Sequence, residues 1–300
     1  MIIFDTHCDT LDLLKDTDNM YTCDTHYNFS KAANYDTHIQ ITDIWVDNAE
    51  HKPISRVDGL IDRFYEETKN VSVIKTAADL EKAKGVCVML GIEGGEGIGG
   101  SIKRLYDLFS RGVRLVTLTW NHENEISGTA FENGGGLKPF GREAVREMEN
   151  LGIMVDVSHL SDKGFYDVLE MTKKPFIASH SNSRKVCDIF RNLTDDMFLS
   201  LIKKGGVTGI NLCPDFLGEN PDIDTIVKHI EHFMSLGGED NVGIGADFDG
   251  VPALPDGIRG TEDLYKIFDR LSSLNYSQEL CEKIAYKNMM RVFSEVLPEK

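Results

Sequence analysis

The chain has 300 residues, and 32 Lys and Arg against 49 Asp and Glu give it a formal net charge of −17. That balance excludes a nucleic-acid backbone as partner, because such binding needs a basic patch to displace counterions. A hydrophobic share of 41% with 9% aromatics supplies a packed core and excludes disorder.

No apolar run approaches the ~18 residues that span a bilayer. The start, Met1-Ile-Ile-Phe-Asp5, lacks the basic segment of a signal peptide, and Leu297-Pro-Glu-Lys300 offers no tail for a lipid anchor. Six cysteines (8, 23, 87, 187, 213 and 281) show no C-x-x-C spacing. Reduced, mostly buried thiols are expected, rather than disulfides or a thiolate metal site. A soluble, cytoplasmic protein without a membrane partner is the expectation.

In chain order, apolar runs at residues 2–7, 38–46, 85–92, 113–120, 152–159, 175–180, 206–212 and 242–247 predict strands. Amphipathic stretches at 55–69, 101–111, 141–151, 161–172, 194–204, 222–236, 261–273 and 277–296 predict helices. Ser161, Thr194, Thr261 and Ser277 are placed as N-caps, while Gly112, Gly152, Gly205 and Gly237 fall just past helix ends. The runs are nearly continuous in apolar character, as in Val86-Cys-Val-Met-Leu90, the pattern of strands covered on both faces. Eight strands alternating with helices predict one α/β domain over residues 1–300, a single (β/α)₈ TIM-like barrel. An open doubly wound sheet is the alternative. The stretches 16–37 and 121–140 are expected to be functional loops lining or covering a pocket.

In such a barrel the chemistry sits at the C-terminal strand ends. There the sequence reads Asp5-Thr-His7-Cys-Asp9, Gly91-Ile-Glu93-Gly-Gly95, Thr117-Leu-Thr-Trp-Asn-His122, Asp156-Val-Ser-His159, Ser179-His180 and Gly245-Ala-Asp247-Phe-Asp249-Gly250. Four of nine histidines (7, 122, 159 and 180) fall at these ends; the others (26, 38, 51, 229 and 232) read as solvated or packed residues. His7 and Asp9 stand two apart, so on a strand they share a face and can chelate one cation. A lone H-x-D is a common accident. His159 and His180 are 21 residues apart, about one βα unit, which puts them on neighbouring strands where two imidazoles can meet one metal. Glu93 closes an apolar strand and must be neutralised there, by a basic side chain or by bridging two cations ~3.5–4 Å apart. Glu96 reads as a solvated loop or helix-start residue, Asp156 as a supporter of the histidines, and Asp249 as structural. Gly95-Glu-Gly97-Ile-Gly-Gly100 fits a dinucleotide-binding fingerprint. The next strand nevertheless ends Thr117-Leu-Thr-Trp120 without the acidic residue that fingerprint requires, and Glu93 and Glu96 would repel a pyrophosphate.

Taken together, D-T-H-C-D, G-I-E-G-G, T-L-T-W-N, G-x-x-P-F-G-R-E, D-V-S-H, I-A-S-H-S, R-N-L-T-D-D and G-A-D-F-D-G-V run from residue 5 to about 293 in a constant order. In this they resemble the membrane (renal-type) dipeptidase family, zinc peptidases of the amidohydrolase superfamily. The resemblance implies His7 and Asp9 on one metal, Glu93 bridging, and His159 and His180 on the second. It further implies Arg191 for the substrate carboxylate and Asp247 as acid/base. Family members often carry a substrate-binding His where this chain has Trp120, and His122 is the candidate to replace it. The expected catalytic set is Asp247, Glu93 and His122, with Arg191, His122 and Asp247 contacting the substrate. Two Zn²⁺ per chain are expected, with Mn, Fe or Co also suited to His and carboxylate ligands. The expected partner is a small dipeptide, and a homodimer stays open. The alternatives are a hydrolase of acylated amino acids or lactams, and a peptide-binding barrel without catalysis.

Overall fold

The computed structural model describes residues 1–47, 49, 52–132 and 134–299. Nine parallel strands are formed: β1 (Ile2–Asp5), β2 (Thr37–Trp45), β3 (Ser72–Val73), β4 (Gly85–Glu93), β5 (Val113–Thr117), β6 (Met154–Asp156), β7 (Ile177–Ala178), β8 (Val207–Ile210) and β9 (Val242–Ile244). β1 pairs with both β2 and β9, and β2 pairs with β4, so eight strands close in the order β1-β2-β4-β5-β6-β7-β8-β9. The short β3 adds to the first half of β4. The result is the expected (β/α)₈ barrel. Apart from β4, which runs one residue further to Glu93, the strands stop short of the predicted C-terminal limits, because rim residues turn out of the ladder to carry side chains over the barrel end.

The interior is filled from below. Phe4, Ile39, Ile41, Met89, Leu115, Met154 and Val207 point inward and meet Met289, Val292 and Phe293 of the last helix, Asn288–Val296. Phe4 and Phe293 pack with tilted rings at 5.2 Å between centroids, closing the N-terminal end. A second, larger apolar layer lies between strands and outer helices. Alternation along β4 then turns Gly91 and Glu93 inward at the upper end. A Cβ on Gly91 would meet Asp43 Oδ1 at 2.0 Å, so glycine is what lets the Asp43 carboxylate occupy the space beneath the rim.

The helices match the amphipathic stretches. Ser161, Thr194 and Ser277 accept from the N–H groups of Gly164, Met197 and Leu280 at 3.0, 3.1 and 3.2 Å, as expected of N-caps. Thr261 does not cap. A 3₁₀ turn, Thr261–Asp263, leads into the helix Tyr265–Ser273, and the turn is held instead by Asp263 accepting from Arg259. The 277–296 stretch is one helix interrupted by a π turn at Lys283–Lys287.

His229, on Ile223–Ser235, is fully buried; its Nδ1 accepts from Ser183 N at 3.1 Å and its Nε2 donates to Leu217 O at 3.0 Å. Burial pushes its pKa down from 6.5 to about 4. Below its ordinary value the unfolded chain therefore binds a proton that the folded chain refuses, and stability is lost as pH falls through that window. The loss is about 1.4 kcal/mol per pH unit. In urea unfolding, the stability gap between wild type and His229→Gln should narrow from pH 7 to pH 5. A gap independent of pH would show that the folded protein protonates this ring.

Candidate metal centre

Beyond β1 the chain leaves the ladder, with Cys8 N bonded to Ile41 O at 3.2 Å and Asp9 N to Phe248 O at 2.9 Å. These bonds set His7 and Asp9 over the barrel end, with His7 Nε2 3.2 Å from Asp9 Oδ2. Glu93 ends β4, and its Oε1 lies 3.0 Å from His159 Nε2, 3.3 Å from His180 Nε2 and 3.7 Å from His7 Nε2. Two ligand clusters result, His7–Asp9–Glu93 and Glu93–His159–His180, and Glu93 belongs to both. A third overlapping group is His7, His180 and Asp247. Asp247 Oδ1 stands 3.9 Å from His7 Nε2, while Asn211 Nδ2 donates to its Oδ2 at 2.9 Å. Gly250 makes this approach possible, since a Cβ there would meet Asp247 Oδ1 and Asp9 Oδ2, each at 2.3 Å. His159 and Asp247 take left-handed backbone, with φ of 69° and 60°.

Each imidazole is held from behind. Asp43 Oδ2 lies 3.0 Å from His7 Nδ1, and Asn121 Oδ1 lies 2.9 Å from His159 Nδ1. Ser179 Oγ lies 2.6 Å from His180 Nδ1, and Asp156 accepts from Ser179 N at 2.8 Å and from Thr117 Oγ1 at 2.6 Å. Partners on the distal nitrogens fix ring orientation and leave the inward nitrogens free to ligate. Asp156 holds the place expected for it. Asp43, Asn121 and Ser179 were not singled out in the sequence. Asp43 had a signal, being a carboxylate inside an apolar strand with the same need for neutralisation as Glu93.

Burial pushes His159 and His180 well below the ordinary imidazole value, which keeps them neutral as ligands must be. Burial raises Glu93 and Asp247. Burial also opposes a charged His7, but Asp43, Asp9 and Glu93 outweigh it and raise its pKa. Negative charge that draws a proton onto His7 equally favours a cation. Asp9 Oδ1 is buried with no hydrogen-bond partner, and the Nε2 atoms of His159 and His180 face each other at 3.0 Å. Two imidazole nitrogens at that distance need a proton or a cation between them. This donor set of neutral histidines and carboxylates fits divalent metal ions.

Arg191 is buried. Its Nη1 donates to Ser181 Oγ at 2.8 Å, its Nη2 donates to His180 O at 3.0 Å, and Phe216 lies 5.5 Å from its guanidinium. Its Nε has no partner, and among the described residues no carboxylate stands within ion-pairing distance. A cavity of about 440 Å³ opens above the cluster, lined among others by Asp9, Glu93, His159, Asp247, Trp45 and Trp120.

Three expectations change. His122 is not brought into this cavity; its side chain is 45% exposed and its Nδ1 is held by Glu132 Oε1 at 3.1 Å, while Trp120 lines the wall. Glu96 is buried rather than solvated, accepting from Asn124 Nδ2 at 3.1 Å. The glycine-rich segment around it folds as the 3₁₀ turn Gly95–Ile98. Loop 121–140 contributes Asn121 and Phe131 to the cavity. Part of loop 16–37 is instead tied down by Asp249, which accepts from the N–H groups of His26 and Tyr27 at 2.6 and 3.2 Å. His51 lies outside the described residues. All six cysteines are free, five of them buried. No helix among the described residues is long and apolar enough to cross a membrane.

A closed parallel barrel with histidines and carboxylates in overlapping clusters at its C-terminal rim is the architecture of a barrel metallohydrolase. The model of the membrane dipeptidase family (peptidase family M19) matches residues 1–298, and the chain belongs to this family. It is 31% identical to human Dipeptidase 3 over 246 residues, 79% of this chain and 50% of the human protein. An uncharacterized Klebsiella pneumoniae protein in the pqqA 5′ region is 31% identical over 237 residues, 74% of this chain and 87% of that protein. The match spans about half the length of the curated dipeptidases it meets. A Rhodobacter sphaeroides metallopeptidase, solved with a phosphinate mimic of L-Ala-D-Ala, shares the fold with a TM-score of 0.90 at 24% identity, covering 99% of each chain.

Proposed function

We propose that the protein is a metal-dependent dipeptidase that holds two divalent cations, zinc foremost, with Mn, Fe or Co as other occupants. The observation that carries the reading is Glu93, whose one carboxylate belongs to both ligand clusters. His7 and Asp9 would hold one ion and His159 and His180 the other, with Glu93 contributing to both. Bound cations of this kind lower the pKa of water towards neutrality and polarise a carbonyl. The chain's own groups do the rest. Asp247, fixed by Asn211, takes the proton of the attacking water and returns it to the leaving amine. Arg191, a buried cation without a carboxylate of its own, receives the C-terminal carboxylate of the substrate.

Elemental analysis after exhaustive buffer exchange should give close to two metal ions per folded chain; a ratio near zero removes the reading. Dipeptides should be cut, and their C-terminal amides should lose roughly ten- to a hundred-fold in kcat/KM, the value of a charged hydrogen bond. Arg191→Lys should recover only part of the loss in Arg191→Ala, because an ammonium cannot reproduce the planar fork. Equal rates on acid and amide in the wild type would take Arg191 out of the site and favour hydrolysis of small amides in general.

A further inference from the structure

Trp45 closes β2, and Trp120 follows β5 by three residues. In the closed order of strands they flank β4 and its Glu93. Arg191 is bonded to the rim beyond β7 and packs on Phe216 beyond β8, on the opposite side of the barrel mouth. A dipeptide with its carboxylate at Arg191 and its scissile carbonyl over Glu93 therefore projects its first residue towards the two tryptophans. Those rings meet edge to face at 4.9 Å between centroids, an interplanar angle of 80°, and form a rigid wall of the cavity.

Two more apolar side chains continue the wall outward. Leu13 is 53% exposed and Phe131 is 42% exposed, although both line the same cavity. Phe131 is braced edge to face against Phe190 at 4.8 Å. The acidic side chain in this sector, Asp12, is already engaged by Arg56 and by Trp45 N. The described part of the wall is thus mainly large apolar surface, and Asp12, the acid that lines it, is already paired.

We propose that Trp45 and Trp120, with Leu13 and Phe131 at the rim, form the subsite for the side chain of the substrate's first residue and select dipeptides that begin with a bulky apolar residue. The inference rests on the dipeptidase reading above. The test measures kcat/KM of the zinc-loaded enzyme on Phe-Leu, Leu-Leu, Gly-Leu, Asp-Leu and Lys-Leu. Phe-Leu and Leu-Leu should exceed Gly-Leu by about ten-fold or more, the discrimination an apolar pocket gives, and Asp-Leu and Lys-Leu should fall below them by at least as much. In Trp120→Ala the Phe-Leu to Gly-Leu ratio should collapse towards one. In Leu13→Ala and Phe131→Ala, which alter exposed rim positions, it should fall several-fold. A wild type that cuts dipeptides without preferring an apolar first residue overturns the inference and leaves the dipeptidase reading standing. So does a ratio unchanged in all three variants, since a merely structural role lowers every substrate in parallel. Failure to cut any of the five peptides overturns both.

Discussion

Asp247→Asn is expected to keep the fold and lose ~10²–10⁴-fold in kcat, the usual contribution of a positioned acid–base group. The amide preserves shape, and Asn tolerates the left-handed backbone at this position (φ 60°) as Asp does. What disappears is the proton acceptor. Asp247 also stands near His7 and His180 in one of the ligand groups, so metal content must be measured beside turnover. Low turnover with two ions retained assigns proton transfer to Asp247; loss of an ion makes it a ligand. Near-normal turnover would place the acid–base role on another group.

Glu93→Gln is expected to act on the metals themselves. A neutral amide lacks the negative charge that would hold two cations, so the bound ions should drop from two to one or none. Catalysis should fall on the order of 10³-fold, the loss of several kcal/mol of charge stabilisation. Thermal unfolding separates this from misfolding. Burial first, and then the neighbouring carboxylates of Asp9, Asp247 and Asp43, raise the pKa of Glu93, so without metal the carboxylate is a burden on the fold. The metal-free variant should therefore melt no lower than metal-free wild type. Added zinc should raise the melting temperature of wild type well above that of the variant, because an ion bound only by the folded state stabilises it by mass action. An equal zinc response in both proteins would remove Glu93 from the metal centre.

Much of the barrel is visible in the sequence, because strands covered on both faces read as unbroken apolar runs and helix ends carry caps such as Ser161 and Thr194. The two-residue β3 is too short to show any period. The five residues of the two rim clusters stand out because His, Asp and Glu at the ends of apolar strands have few other reasons to be there. The supports behind them do not stand out. Asn121 meets His159 only through the curvature of the barrel, across 38 residues, and Ser179, though next to His180, is an ordinary small residue whose role shows only in its contacts to the ring and to Asp156. His122 misleads for the converse reason. It stands at a rim position by sequence, yet an acid ten residues on, Glu132, turns its ring to the outside. Glu96 looks like a solvated loop acid until the packing of Asn124 against it is seen.

The left-handed residues His159 and Asp247 give the rim a further property. An L-residue with a Cβ costs roughly 1–2 kcal/mol in that conformation, less for Asp, and glycine almost nothing. Here thermodynamic robustness and chemistry pull apart, as they do wherever a functional site stores backbone strain. In metal-free protein, a screen that ranks variants by melting temperature would favour glycine at 159 or 247 and so enrich inactive protein.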